Sequence, residues 1–146
     1  MKSGQKESIG RQIYNCGQAM RSYADQKLKN HDLTVEQLHI LKRLSAVEGQ
    51  TQSRLCSEVG KSPANITRIL DRLEKKGCVN RKNNPKDRRS VLVFLTREGE
   101  ILLAEVNVLF DAVLPDVVAG ISLEDQNTAI NVLGKILQNL SELSKK

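Results

Sequence analysis

The chain has 146 residues, the size of one ordinary domain. Apolar residues make up 39%, and the nine glycines bring this to the lower edge of globular usage, which excludes wholesale disorder. The formal net charge is +6.

The longest apolar run, Val91 to Leu95, is five residues, far short of the ~20 that cross a bilayer. The opening residues Met-Lys-Ser-Gly-Gln-Lys-Glu lack the apolar centre of a signal peptide, so a cytoplasmic protein is expected. Cys16, Cys56 and Cys78 are odd in number and widely spaced, which argues against disulfides and a cysteine zinc site. Tyr14, Tyr23, Phe94 and Phe110 are the only aromatics, too few for a base-stacking platform.

Taken in chain order, residues 6–29 read as a long helix with Ile9, Ile13, Cys16, Met20 and Tyr23 on one stripe. Thr34 and Gln37 form a capping-box pattern for a second helix, whose buried stripe is Leu38, Leu41 and Leu44 and which stops before Gly49. A third helix is expected over about Thr51 to Val59, with Gly60 as the turn. Ser62 then caps a fourth helix, with Pro63 at its first position and Gly77 after its end at Lys76. Cys78 to Lys82 and Val91 to Leu95 read as the strands of a hairpin, joined by an eight-residue polar loop. Thr96 caps a fifth helix that Pro115 should kink or end. After Gly120, Ser122 caps a sixth, striped by Ile130, Leu133, Leu137 and Leu140.

Charge is unevenly spread along this order. Residues 61–97 hold 11 basic and 3 acidic side chains, whereas residues 98–146 hold 3 basic and 8 acidic. A single-sign block of that length is the footprint of a polyanion-binding face, since a merely solvated surface mixes both signs.

Two short helices with a glycine turn, followed by a hairpin with a basic tip, make the order of a winged helix-turn-helix within a mainly α (α+β) fold. On the fourth helix, Ile66, Ile69, Leu70 and Leu73 share one face. Ala64, Arg68, Arg72 and Lys75 occupy the opposite face, flanked by Asn65 and Asp71. Alanine permits close approach to a thymine methyl, asparagine pairs with adenine, and arginine pairs with guanine. Thr67 belongs to the same exposed half, and Ser62 with the free amides behind Pro63 can meet a phosphate. At the hairpin, Lys82, Lys86, Arg88 and Arg89 form a cationic tip that suits a narrow minor groove, with Asp87 expected to orient an arginine.

The segment Ile66-Thr67-Arg68-Ile69-Leu70-Asp71-Arg72-Leu73-Glu74-Lys75-Lys76-Gly77, followed by Asp87-Arg88-Arg89-Ser90 and Leu95-Thr96-Arg97-Glu98-Gly99, strongly resembles the MarR family of multiple-antibiotic-resistance regulators. The resemblance covers Leu33 to Gly99. Cys56 stands where the family often has alanine and Cys78 where it often has leucine.

The resemblance implies a homodimer with intertwined first, fifth and sixth helices. Its fourth helix lies in the major groove and its wing in the minor groove of a palindromic operator, and it represses until released by a small ligand or an oxidant. By that resemblance Arg89 matches the minor-groove arginine and Asp87 its orienting acid, while Asn65, Thr67 and Arg68 match base- or phosphate-contacting positions. Residues 1–32 and 100–146 are then the dimerisation region and 33–99 the DNA-binding lobe. The wide apolar stripes of the fifth and sixth helices, including Ile101, Leu103, Phe110, Leu114 and Val117, independently favour a large obligate interface.

The partners expected are therefore duplex DNA, a second copy of the chain and a small-molecule effector, with no cofactor and no metal. His31 and His39 are too few for a metal site and form no nucleophile–base pair, so no enzyme is expected. Thiol-switch members of the family carry a reactive cysteine near the start of the first helix, where Cys16 lies. Neither Asn30 nor Leu38 supplies the tyrosine such a site uses, and a buried packing cysteine is expected at Cys16 instead. The alternatives are a redox-sensing regulator acting through Cys16 and a sequence-neutral architectural DNA-binding protein.

Overall fold

The computed structural model describes residues 8–146. Helix α1, Ile9–Leu28, begins at Ser8, whose side chain accepts from the Arg11 amide, and runs into a 3-10 turn at Lys29–His31. The expected start at residue 6 lies outside the described residues. Helix α2, Val35–Ala46, carries the full capping box: the Gln37 amide donates to Thr34 Oγ1 at 3.1 Å and the Thr34 amide to Gln37 Oε1 at 3.3 Å. Helices α3, Gln52–Val59, and α4, Pro63–Lys75, are separated by Gly60, which takes the left-handed conformation (φ 64°) that non-glycine residues disfavour. Helix α5 spans Arg97–Val117 and α6 spans Leu123–Leu143.

Three antiparallel strands form the sheet, in the order β1-β3-β2. Strand β1 is only Gln50–Thr51, β2 is Val79–Asn84 and β3 is Asp87–Leu95. Two residues carry no periodic signal, which is why β1 was invisible in the sequence. Its pairing, Gln50 with Val93 and Thr51 with Leu92, ties the start of α3 to the hairpin. Thr51 also caps α3 by accepting from the Arg54 amide at 3.1 Å.

The hairpin differs from expectation. Instead of an eight-residue loop, the ladder continues to Asn84 paired with Asp87, with a bulge between Asn83 and Asn84. Asp87, Arg88 and Arg89 therefore lie on β3 rather than in a loop. Their polar side chains conceal the strand, because a ladder held by backbone hydrogen bonds needs no apolar face where the hairpin stands in solvent. The turn is tightened by Asn84, whose Oδ1 accepts from the Lys86 amide at 3.0 Å.

Two compact units are distinguished, one running to Val106 and the other Asn107–Lys146. The core of the first unit is built from fully buried Leu41, Leu55, Ile66, Leu70, Leu73, Val79 and Val93. Thus the apolar faces of α2, α3 and α4 meet the inner side of the hairpin. Gly99 seats the start of α5 against the sheet: a Cβ there would lie 2.3 Å from the Cys78 carbonyl oxygen. Thr96 completes that corner, donating to the Gly77 carbonyl at 2.5 Å and accepting from the Gly99 amide at 3.1 Å.

In the second unit, α5 continues through Pro115 for two residues before ending, so the proline marks the last turn without breaking it. Gly120 (φ 78°) makes the reversal, and Ser122 caps α6 by accepting from the Asp125 amide at 3.1 Å. No residue of α6 is buried. Among the described residues, no helix is long and apolar enough to cross a membrane.

Candidate nucleic-acid interface

Helix α4 presents its two faces as the 3.6-residue period dictates. Ile66, Leu70 and Leu73 are fully buried, while Ala64, Asn65, Thr67, Arg68, Arg72 and Lys75 are exposed. Ser62 acts as the N-cap, its Oγ accepting from the Asn65 amide at 3.2 Å, and Pro63 occupies the first turn. Arg68 and Arg72 enter no ion pair among the described residues, so both guanidinium groups keep their donors for an external partner.

Thr67 is different. Its hydroxyl donates to the Pro63 carbonyl at 2.9 Å and accepts from Gln52 Nε2 at 2.8 Å. This bond brings Gln52, a residue missed in the sequence reading, to the flank of the α4 face. No periodicity marks it; its position at the first turn of the preceding helix was the only clue.

A second missed residue ties this helix to the hairpin. Arg81 on β2 donates through Nη2 to Asp71 Oδ1 at 2.5 Å and through Nε to Glu74 Oε2 at 2.6 Å. Partial burial disfavours its charge, but the two carboxylates outweigh that and raise its pKa above the ordinary value. Asp71 and Glu74, the only acids on α4, are thereby turned toward the sheet, and the rest of the helix surface is left cationic.

The wing residues meet α4 across an open cleft of about 600 Å³, whose walls include Gln52, Ser53, Pro63, Asp87, Arg89 and Ser90. The N-terminus of the fourth helix and the Arg89 strand thus border the same depression. Lys86, Arg88 and Arg89 are exposed, and Lys82 lies with Nζ 5.5 Å from the Phe94 ring centre. Asp87 does not pair with an arginine side chain; its Oδ1 accepts the backbone amide of Arg89 at 3.0 Å. The reason is local: two residues apart on a turn-proximal strand, the carboxylate reaches the nearby N–H before the long guanidinium.

Cys16 is not gathered into this site. It stands exposed on α1, contrary to the expectation of burial, because the stripe it shares with Ile9 and Met20 is uncovered in the single chain. Among the described residues, no group of three or more His, Cys, Asp or Glu could hold a metal ion.

Residues 33–91 match the model of the MarR family. Among solved structures, the chain is similar to MepR of S. aureus in a complex with DNA, at 26% identity and a TM-score of 0.79, covering 93% of this chain and 99% of that one. It is also similar to a mutant MarR from E. coli complexed with operator DNA, at 28% identity and a TM-score of 0.81, covering 88% and 93%. A MarR transcriptional regulator from Methanosarcina mazei Go1 shares the fold at 24% identity, with a TM-score of 0.84 over 94% and 99%. In its helix-turn-helix, its clamped wing and these matches, the chain is similar to the MarR family of DNA-binding transcriptional regulators.

Proposed function

We propose that the protein is a homodimeric, sequence-specific, ligand-responsive repressor that acts in the cytoplasm on a palindromic duplex operator. The observation that carries this reading is the shared cleft: Pro63 at the start of α4 and Arg89 on the wing border one open depression. In that arrangement Asn65 and Arg68 enter the major groove while Arg89 reaches the adjacent minor groove. Ala64 permits close approach, and Ser62, Arg72, Lys82, Lys86 and Arg88 surround the base-reading residues with polar and cationic groups. Thr67, held by Gln52, positions the helix rather than reading a base.

Residues 1–32 and 100–146 supply the dimerisation region, and 33–99 supply the DNA-binding lobe. Support comes from apolar side chains left in solvent. Met20 on α1 is 64% exposed, and on α6 Leu137 is 68% and Ile130 65% exposed. Helical faces of this kind need a cover, and a second copy of the chain provides a self-complementary one. An effector that favours a dimer whose recognition helices no longer match half-sites one turn (~34 Å) apart lowers operator affinity by its differential binding energy.

Selection of bound sequences from a random duplex pool tests the central reading. A palindromic consensus bound ~10³-fold or more above random DNA is expected, whereas a sequence-neutral architectural protein gives no more than about tenfold. Arg68→Ala should then relax the preference at one position at a cost of ~1–3 kcal/mol. Equal losses on operator and random duplex would reassign Arg68 to a phosphate. Light scattering of the purified protein should return twice the chain mass.

A further inference from the structure

A second cleft, also about 600 Å³, opens between the last turn of α4 and the connection from α1 to α2. Lys29, Arg72, Lys75 and Lys76 line it, with Leu33 beneath and Asp32 as its one acid. Asp32 is already committed: its Oδ2 lies 3.7 Å from Lys76 Nζ, which also donates to the Asp32 carbonyl and to Gln37 Oε1. Lys29, Arg72 and Lys75 enter no ion pair among the described residues.

Completing the helix end does not account for these cations. Three carbonyls in the last turn of α4 are taken by backbone amides, Lys76 to Arg72 at 3.1 Å, Gly77 to Glu74 at 2.9 Å and Cys78 to Leu73 at 2.9 Å. Nor do the helix's own acids offset the charge, since Asp71 and Glu74 are bound by Arg81.

Helix geometry says where this cleft falls. At 1.5 Å per residue, Lys75 lies ~15 Å along the axis from Asn65. The major groove is ~12 Å wide, so with Asn65 at the base edges the last turn of α4 reaches the sugar-phosphate strand that bounds the groove. We propose that this cleft seats phosphates of that strand, gripped by Lys29, Arg72 and Lys75, and so extends the duplex footprint beyond the recognition helix and wing. Lys29 lies outside the residues matched by the family model, and neither it nor Lys75 belongs to the groove-reading set above. The inference rests on the proposed duplex binding and adds a sequence-independent grip to it.

The test uses the full chain with Lys29→Gln, Lys75→Gln and the double variant, titrated on operator and random duplexes between about 50 and 200 mM salt. Each substitution should weaken binding to both duplexes by the same factor. Because a dimer loses two contacts per substitution, each single variant should also flatten the slope of log K against log salt by about 1.8, and the double variant by about twice that. A double variant with the wild-type slope overturns the proposal. So does loss of orthophosphate binding, read by calorimetry, without change in the duplex slope, which would assign the cleft to a free anion. Absence of duplex binding by the wild type would instead overturn the functional reading, and this grip with it.

Discussion

Arg81 on the second strand and Asp71 on the recognition helix are joined at 2.5 Å, and the same guanidinium reaches Glu74 at 2.6 Å. One side chain thus fixes the angle between the helix that would enter one groove and the hairpin that would reach the next. The D-R-L-E stretch of α4 owes its two acids to this clamp, and its arginine, Arg72, faces away from it.

Arg81→Ala should therefore damage both the scaffold and the contact face. Hydrogen bonds to charged groups are each worth more than neutral ones, but Asp71 and Glu74 are substantially exposed, so a loss of about 1–2 kcal/mol in urea unfolding is expected. Operator affinity should fall further, because two uncompensated carboxylates would be left beside the DNA-facing surface. An unchanged unfolding midpoint would show that the bridge carries no structural weight.

Arg89→Ala should weaken operator binding by ~1–3 kcal/mol, most strongly where the flanks are A·T-rich and the minor groove is narrow. Asp87→Asn should be mild, since an amide oxygen can still accept the Arg89 N–H that Asp87 now receives at 3.0 Å. Asp87→Ala removes the acceptor and should approach the Arg89→Ala defect. Wild-type affinity of Arg89→Ala in a mobility-shift titration would take the wing out of the interface.

Gly99→Ala tests the corner where α5 leaves the sheet. The new methyl would meet the Cys78 carbonyl oxygen at 2.3 Å, and backbone cannot yield as a flexible side chain does. A destabilisation of ~1–3 kcal/mol is expected from overpacking, read as a lower thermal midpoint. A midpoint equal to wild type would mean the helix start can slide outward without cost.

Glu36 links α2 to both α1 and the turn before α4, through Arg21 and through Lys61 at 4.0 Å. Partial burial pushes its pKa up, but the backbone amide, Arg21 and Lys61 outweigh that and hold it below the ordinary 4.5. A depressed folded pKa stabilises the native state above the unfolded value, and that contribution is lost as pH falls through the folded one. The Glu36→Gln variant should melt slightly below wild type at neutral pH, by less than about 1 kcal/mol given the exposed partners. The two melting curves should converge in acid; a gap that persists there would exclude the charge as its source.

Much of this architecture was legible because local chemistry and tertiary need agree. Thr34 with Gln37, Ser62 with Pro63, and Ser122 each announced a helix start that the fold uses, and Gly60, Gly77 and Gly120 all sit at positive φ where chain reversals were expected. The exposed residues of α4 followed from helical period alone. What escaped notice depends on partners distant in sequence. Strand β1 exists only because β3 is beside it, Arg81 finds acids 10 and 7 residues earlier, and the polar wing pairs through its backbone. Cys16 stands exposed in the single chain for a related reason: its apolar stripe finds no cover within one chain.

Thr51 belongs at once to the edge strand and to the cap of α3, while its pairing partner Leu92 lies on the strand that carries Arg89. A tug on the hairpin is thus delivered straight to the root of the helix-turn-helix, with Arg81 bracing the other side. Helix and wing of the lobe are thus cross-tied at two places, by the β1–β3 pairing and by the Arg81 bridge. In the proposed dimer, half-site spacing is then read in addition to the bases, and a mismatched spacing is felt by helix and wing together.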